Sequence, residues 1–204
     1  MRVLVVTAVP AERDAVLAKV PAGAGLTCVA GGVGVAAAAA ATAVALERSN
    51  YDWVLSAGIA GGFAGRATAG DVVVADRVVA ADLGCRTDDG FLALPELGLD
   101  TPVAYDCPPL WSAPTSAVRG TILSLTCMTG TEVRAAELAA AHPDAVAEAM
   151  EGFGVATAAA AAGVPFAEVR TVSNVIGRRD RSTWDIPAAF AALGDAFATL
   201  SEAL

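Results

Sequence analysis

The chain has 204 residues, 55% of them hydrophobic, and a formal net charge of -9 at pH 7. Its length suits one α/β domain spanning residues 1–204 with a substantial core, and no apolar run reaches the ~18 residues needed to cross a bilayer. The acidity excludes nucleic acid and anionic membrane as favoured partners, which leaves a small-molecule ligand.

Met1–Thr7 is a short apolar run with one positive charge, and Pro10, Glu12, Arg13 and Asp14 follow where a signal peptide would continue. It therefore reads as the first strand, Arg2–Thr7, of a cytoplasmic protein. A helix is predicted over Pro10–Val20, then a strand over Leu26–Ala30 and an Ala-rich helix over Val35–Glu47. Strands rich in β-branched residues follow at Trp53–Ala57 and Asp71–Ala80, with another at Thr121–Met128. Thr131 is placed to cap a helix running to Ala141, with Glu132 favourable in its first turn. Ala145–Met150 and Phe166–Ser173 read as strands, and Gly152–Ala162 and Pro187–Ala203 as helices. This alternation predicts a three-layer α/β sandwich, a central mixed sheet flanked by helices, in which alanine side chains permit close packing.

Cys85–Arg119 breaks the pattern. It carries Pro95, Pro102, Pro108, Pro109 and Pro114 with no clean period, so a long irregular segment is expected, functional or interfacial, with Tyr105 and Trp111 capping a pocket or a subunit contact. The cysteines Cys28, Cys85, Cys107 and Cys127 lack CxxC spacing and read as buried, reduced thiols. His142, the only histidine, reads as a solvated loop residue. No metal site and no organic cofactor is implied.

Four strand ends carry residues suited to a ligand, which in open α/β sheets collects at the carboxyl ends of strands. Glu12 falls in the first turn after the first strand; from position alone it is a surface carboxylate favoured by the helix dipole. Ser56–Phe63 runs a strand into a turn containing Gly58, Gly61 and Gly62, where the backbone can approach a ligand closely. It lacks the lysine and hydroxyl residue of a P-loop, and Gly31–Gly34 lacks the later acidic residue of a dinucleotide fingerprint. Glu151 sits where a buried strand becomes an Ala-rich helix, a place that demands a partner: a sugar diol or a nearby arginine serves equally, with Met150 offering a soft surface. Asn174 can both donate and accept, matching adjacent edge atoms of a purine. Arg178, Arg179 and Arg181 form the densest positive cluster, suited to an anion or to Asp180 and Asp185.

In series, the Ala-Gly-Ile-Ala-Gly-Gly turn, the Gly70–Val79 strand, the Met150-Glu151 pair and Ser173-Asn174 resemble the purine nucleoside phosphorylase/nucleosidase superfamily across nearly the whole chain. The resemblance implies that Glu12 orients and deprotonates an attacking water and that Met150 and Glu151 hold the ribose. It also implies that Ala57, Gly58, Ile59 and Ala60 line the pocket and that Ser173 and Asn174 face the purine. The methylthioadenosine nucleosidases have aspartate where this chain has Asn174. An amide cannot protonate a leaving adenine but can accept from a protonated N7 and donate to O6 of a 6-oxopurine. The Val5–Glu12 and Ser173–Asp180 segments are similar to those of futalosine hydrolases. That family implies hypoxanthine release from an inosine-like nucleoside bearing a 3-carboxyphenyl tail, in menaquinone biosynthesis, with Arg178 and Arg179 as partners for the tail carboxylate. It also implies a homodimer or higher homo-oligomer. The alternatives are a methylthioadenosine-type nucleosidase, a phosphorylase, which would need basic residues near the glycine turns such as Arg66, and a non-catalytic purine-sensing module.

Overall fold

The computed structural model describes residues 1–204. Its first half runs β1 (Val3–Thr7), α1 (Pro10–Leu17), β2 (Leu26–Ala30), α2 (Val35–Arg48), β3 (Trp53–Gly62) and β4 (Val72–Ala80). A short hairpin follows, β5 (Gly84–Thr87) with β6 (Gly90–Ala93), then a 3-10 turn over Leu94–Leu97 and β7 (Ala104–Asp106). The second half runs β8 (Val118–Ser124), α3 (Glu132–Ala141), β9 (Ala145–Ala149), α4 (Gly152–Ala161), β10 (Phe166–Val175) and α5 (Ile186–Ser201).

Period-two alternation along β1 explains the layers. Leu4 and Val6 join one apolar cluster with Ala38 of α2 and Val155, Ala156 and Ala159 of α4. Val3 and Val5 join another with Val16 of α1 and Leu193, Phe197 and Leu200 of α5. A sheet buried on both faces must read as a continuous apolar run, and β1 is buried throughout. Small residues bring α4 against α2: a Cβ on Gly154 would lie 2.1 Å from Val35 O. Thr131 caps α3, its hydroxyl accepting from Arg134 N–H at 3.2 Å.

The mixed sheet flanked by helices is the expected one, but its strands also close on themselves. β3 pairs with β1, β9 and β10; β10 pairs with β4, β4 with β8, and β8 with β9. Strands β3, β10, β4, β8 and β9 thereby form a ring, which leaves no free edge among them. β1 and β2 extend from it.

Five expectations need correction. The glycine-rich segment Ala57–Gly62 is no turn: β3 continues to Gly62. Cys85–Arg119 is partly regular, because its strands are too short to imprint a period on the sequence. Tyr105 and Trp111 do not cap a pocket: Tyr105 packs on Phe153 with ring centroids 5.4 Å apart, while Trp111 packs on Trp53 and donates to Leu200 O at 3.2 Å. Nor are all thiols buried. Cys107 is buried and Cys28 half-buried, each pushed up to about 12 by burial, whereas Cys85 and Cys127 are exposed. His142 is a half-buried helix end rather than a solvated loop residue, its pKa lowered by burial and by Arg134. No helix is long and apolar enough to cross a membrane.

Candidate active site

The carboxyl ends of β1, β3, β9 and β10 open on one cavity of about 260 Å³. Glu12, Ile59, Ala60, Met150, Glu151, Ser173 and Asn174 all line it. Ala57 and Gly58 stand behind the lining. Arg178 and Arg179 also stand outside it; both are exposed, and Arg179 reaches the cavity only through its guanidinium, 5.8 Å over the ring of the lining residue Trp184.

Pro10 at the first helical position starts α1, which fixes Glu12 in its first turn. The side chain turns back rather than out: Glu12 is 4% exposed, so it is not a surface carboxylate. Its Oε2 accepts from the backbone N–H of Ala8 (2.9 Å) and Val9 (3.2 Å), and Oε1 from that of Ile59 (2.9 Å). Three rigid donors from two strand ends therefore set this carboxylate's direction. Gly58 makes room for it, since a Cβ there would lie 2.4 Å from Glu12 Oε1 and 2.8 Å from Arg170 Nη1. Gly58→Ala is expected to push Glu12 off these donors and lower kcat by roughly tenfold to a hundredfold, because small misplacements of a reacting group cost that much. Steady-state kinetics beside a melting curve would separate that effect from unfolding.

Glu151 meets an arginine after all. Its Oε2 accepts from Arg170 Nη2 (3.1 Å) and Met150 N–H (3.4 Å), and its Oε1 from Gly34 N–H (3.1 Å). Gly34, at φ 91°, opens α2, so the Gly31–Gly34 loop serves to present an N–H to this carboxylate. Arg170 is 1% exposed and also donates from Nε to Glu168 Oε1 (2.8 Å) and from Nη2 to Ser56 Oγ (2.9 Å). Burial alone would lower the Arg170 pKa, but Glu168, Glu151 and Glu12 around it raise it. Glu168 is fully buried and its Oε2 has no partner; burial holds its carboxyl above the ordinary range, against the pull of Arg170.

Sequence reasoning missed Ser56, Glu168 and Arg170. The signal was available, because Glu168 and Arg170, two residues apart on one face of an apolar strand, must find partners when buried.

A bulge builds the other end of the cavity. β10 pairs Val172 with Ala60 and Asn174 with Gly61, so Ser173 is the extra residue. Bulges re-aim side chains beside functional sites. Here Ser173 Oγ donates to Ala60 O (3.2 Å) or Asn174 Oδ1 (2.8 Å), while Asn174 Nδ2 donates to Val175 O (3.2 Å). An amide has two acceptor positions and two N–H groups, so one of each remains for a ligand. Met128, Thr129, Glu148, Ile176 and Trp184 complete this end, none of them anticipated. Burial raises Glu148 above the ordinary carboxylate range, opposed by two hydrogen bonds from Thr129.

No lysine or arginine lines the cavity. Arg66 points elsewhere, its guanidinium donating to the carbonyls of Ala139, His142 and Ala145.

The phosphorylase superfamily model matches residues 5–204. The chain is 48% identical to the futalosine hydrolase of Streptomyces coelicolor over 100% of its length and 97% of that protein. It is 48% identical to the futalosine hydrolase of Acidothermus cellulolyticus over 98% of its length and 90% of that protein. Among solved structures, a 5'-methylthioadenosine/S-adenosylhomocysteine nucleosidase from Colwellia psychrerythraea, in complex with adenine, superposes with a TM-score of 0.83 at 23% identity, covering 100% of this chain and 96% of that one.

Proposed function

This chain belongs to the phosphorylase superfamily and, within it, to the futalosine hydrolase family, and from that premise we propose that it hydrolyses the N-glycosidic bond of futalosine, releasing hypoxanthine and the dehypoxanthinyl sugar. The observation that carries the choice of water over phosphate is a buried Glu12, held by three backbone donors, in a cavity lined by no cation. A phosphate nucleophile brings charge that such a site would leave unpaired.

In this reading Glu12 takes a proton as water oxygen bonds to the anomeric carbon. The glycosidic pair leaves with the purine, so positive charge grows on the sugar and negative charge on the base. Glu12 and Glu151 stabilise the first, and Glu151 also receives the ribose hydroxyls over Met150. Asn174, bearing one free N–H and one free acceptor position, stabilises the second by oriented dipoles rather than proton transfer. The departing purine takes a proton from water at N7, and the amide pattern suits O6 and that N7–H, which favours hypoxanthine over the adenine of methylthioadenosine nucleosidases. The glutamate positioned for general-base chemistry argues against a non-catalytic sensor.

Hypoxanthine release from futalosine, followed with and without phosphate, tests this directly. Equal rates and a free sugar product are expected; strict phosphate dependence would make the enzyme a phosphorylase. The tail carboxylate is assigned to Arg178 and Arg179 at the mouth beside Trp184. Replacing both by Ala is expected to raise KM for futalosine by roughly tenfold or more while leaving inosine little changed, as loss of a charge-assisted contact to the tail alone predicts. Equal effects on the two substrates would remove that assignment.

The same reading makes residues 1–204 one catalytic domain, working in the cytoplasm in menaquinone biosynthesis. A homodimer is supported by Val33 and Met128, which line the cavity yet are 56% and 48% exposed.

A further inference from the structure

Glu12 and Glu151 line the cavity, and Arg170 and Glu168 of β10 stand behind them. All four are at most 4% exposed, so three carboxyl groups share one guanidinium away from water. With every group ionised, the cluster would hold a surplus of negative charge that a buried place does not tolerate.

The hydrogen bonds indicate which carboxyl keeps a proton. Both oxygens of Glu12 accept from backbone N–H groups, and both oxygens of Glu151 accept from N–H donors, Arg170 among them. Donors on every oxygen hold these two as carboxylates. Glu168 differs. Its Oε1 accepts from Arg170 Nε at 2.8 Å and from Ser56 Oγ at 3.3 Å, whereas its Oε2 meets no donor. That oxygen packs against Gly152 at the start of α4, where a Cβ would collide with it, yet no N–H of the helix reaches it. A buried oxygen that accepts nothing is where a proton costs least. The remaining titratable neighbour, the buried Cys107 thiol, is pushed up to about 12 and brings no positive charge.

A neutral Glu168 still holds Arg170 by Nε, while Ser56 Oγ accepts from Nη2 at 2.9 Å, so the guanidinium plane is set from two sides. The positive charge then stays with Glu151, which Nη2 meets at 3.1 Å. An ionised Glu168 would compete for it.

We propose that Glu168 is a positioning residue for the reaction: as a neutral acid it aims the Arg170 guanidinium at Glu151 and so fixes the carboxylate that receives the ribose hydroxyls. This rests on the ribose reading of Glu151 above and adds the buried residue that sets its direction.

Infrared difference spectra of the folded protein at neutral pH, wild type minus Glu168→Gln, test the proton without involving turnover. The carbonyl stretch of a protonated carboxylic acid is expected in the wild type and absent from the variant. A carboxylate band lost in its place would overturn the proposal. Positioning is read as the kcat/KM preference for futalosine over its 2'-deoxy analogue, a ratio that mere loss of folded enzyme leaves unchanged. Glu168→Ala strips Arg170 Nε of its acceptor and is expected to shrink that preference by about tenfold or more, the worth of a hydrogen bond to a charged group. Glu168→Gln is neutral and keeps the Oε1 acceptor, so it is expected to restore the preference to within about threefold of the wild type.

A wild-type preference in Glu168→Ala, or a Glu168→Gln as impaired as Glu168→Ala, would overturn the role of Glu168 alone. A wild-type enzyme that hydrolyses both substrates equally well would overturn the ribose reading of Glu151 and this proposal together.

Discussion

Glu12→Gln is expected to lower kcat for hypoxanthine release by roughly 10²–10⁴-fold, the range that a positioned general base contributes. The structure makes this a test of chemistry more than of shape. The Gln side chain is isosteric, yet one oxygen becomes an NH2 facing either Ile59 N–H or the pair from Ala8 and Val9, all of which donate to Glu12. That mismatch costs about 1–3 kcal/mol of stability, the usual result of opposing two donors in a buried place. Hypoxanthine binding is expected to survive, since Asn174 lies at the other end of the cavity. A kcat within about tenfold of the wild type, with hydrolysis intact, would remove Glu12 as the base.

Arg170→Met is expected to destabilise the fold by about 3–5 kcal/mol, because removing one partner of a buried ion pair strands the others. Glu168 and Glu151 are 0% and 4% exposed, and Arg170 is the cation that meets both. For a chain of this size the loss corresponds to roughly 6–20 °C in Tm, at ~2–4 °C per kcal/mol. Acid is expected to narrow the gap. Glu168 titrates in the fold above its ordinary value of 4.5, so its contribution to stability is full below that value and is lost as pH rises through the folded one. Without Arg170 its folded pKa rises further, and the variant gains more than the wild type on acidification. Melting curves between neutral and mildly acidic pH check both statements; a Tm within about 2 °C of the wild type, the size of a surface change, would mean that the network is dispensable.

The alternation of strands and helices was legible because each element prints its period locally. So were positions 12, 150, 151 and 174, which stand beside strand ends. The boundaries that failed have physical causes. β3 runs on through Gly58, Gly61 and Gly62 because pairing with β9 and β10 on either side holds an extended backbone that glycine does not itself prefer. β5, β6 and β7 hold four, four and three residues, too few for a pattern to rise above the prolines around them.

The sequence alone therefore determined the fold class, the order of layers and which chain segments meet at the cavity, because hydrophobic periodicity and strand-end chemistry are local properties. Only the tertiary structure decided the closure of the ring and the bulge at Ser173. It also brought Arg170 to Glu151 and Glu168 and turned Arg66 away. Those outcomes depend on strand register between segments far apart in sequence. A shift of one residue reverses every side chain's face, and nothing local records it.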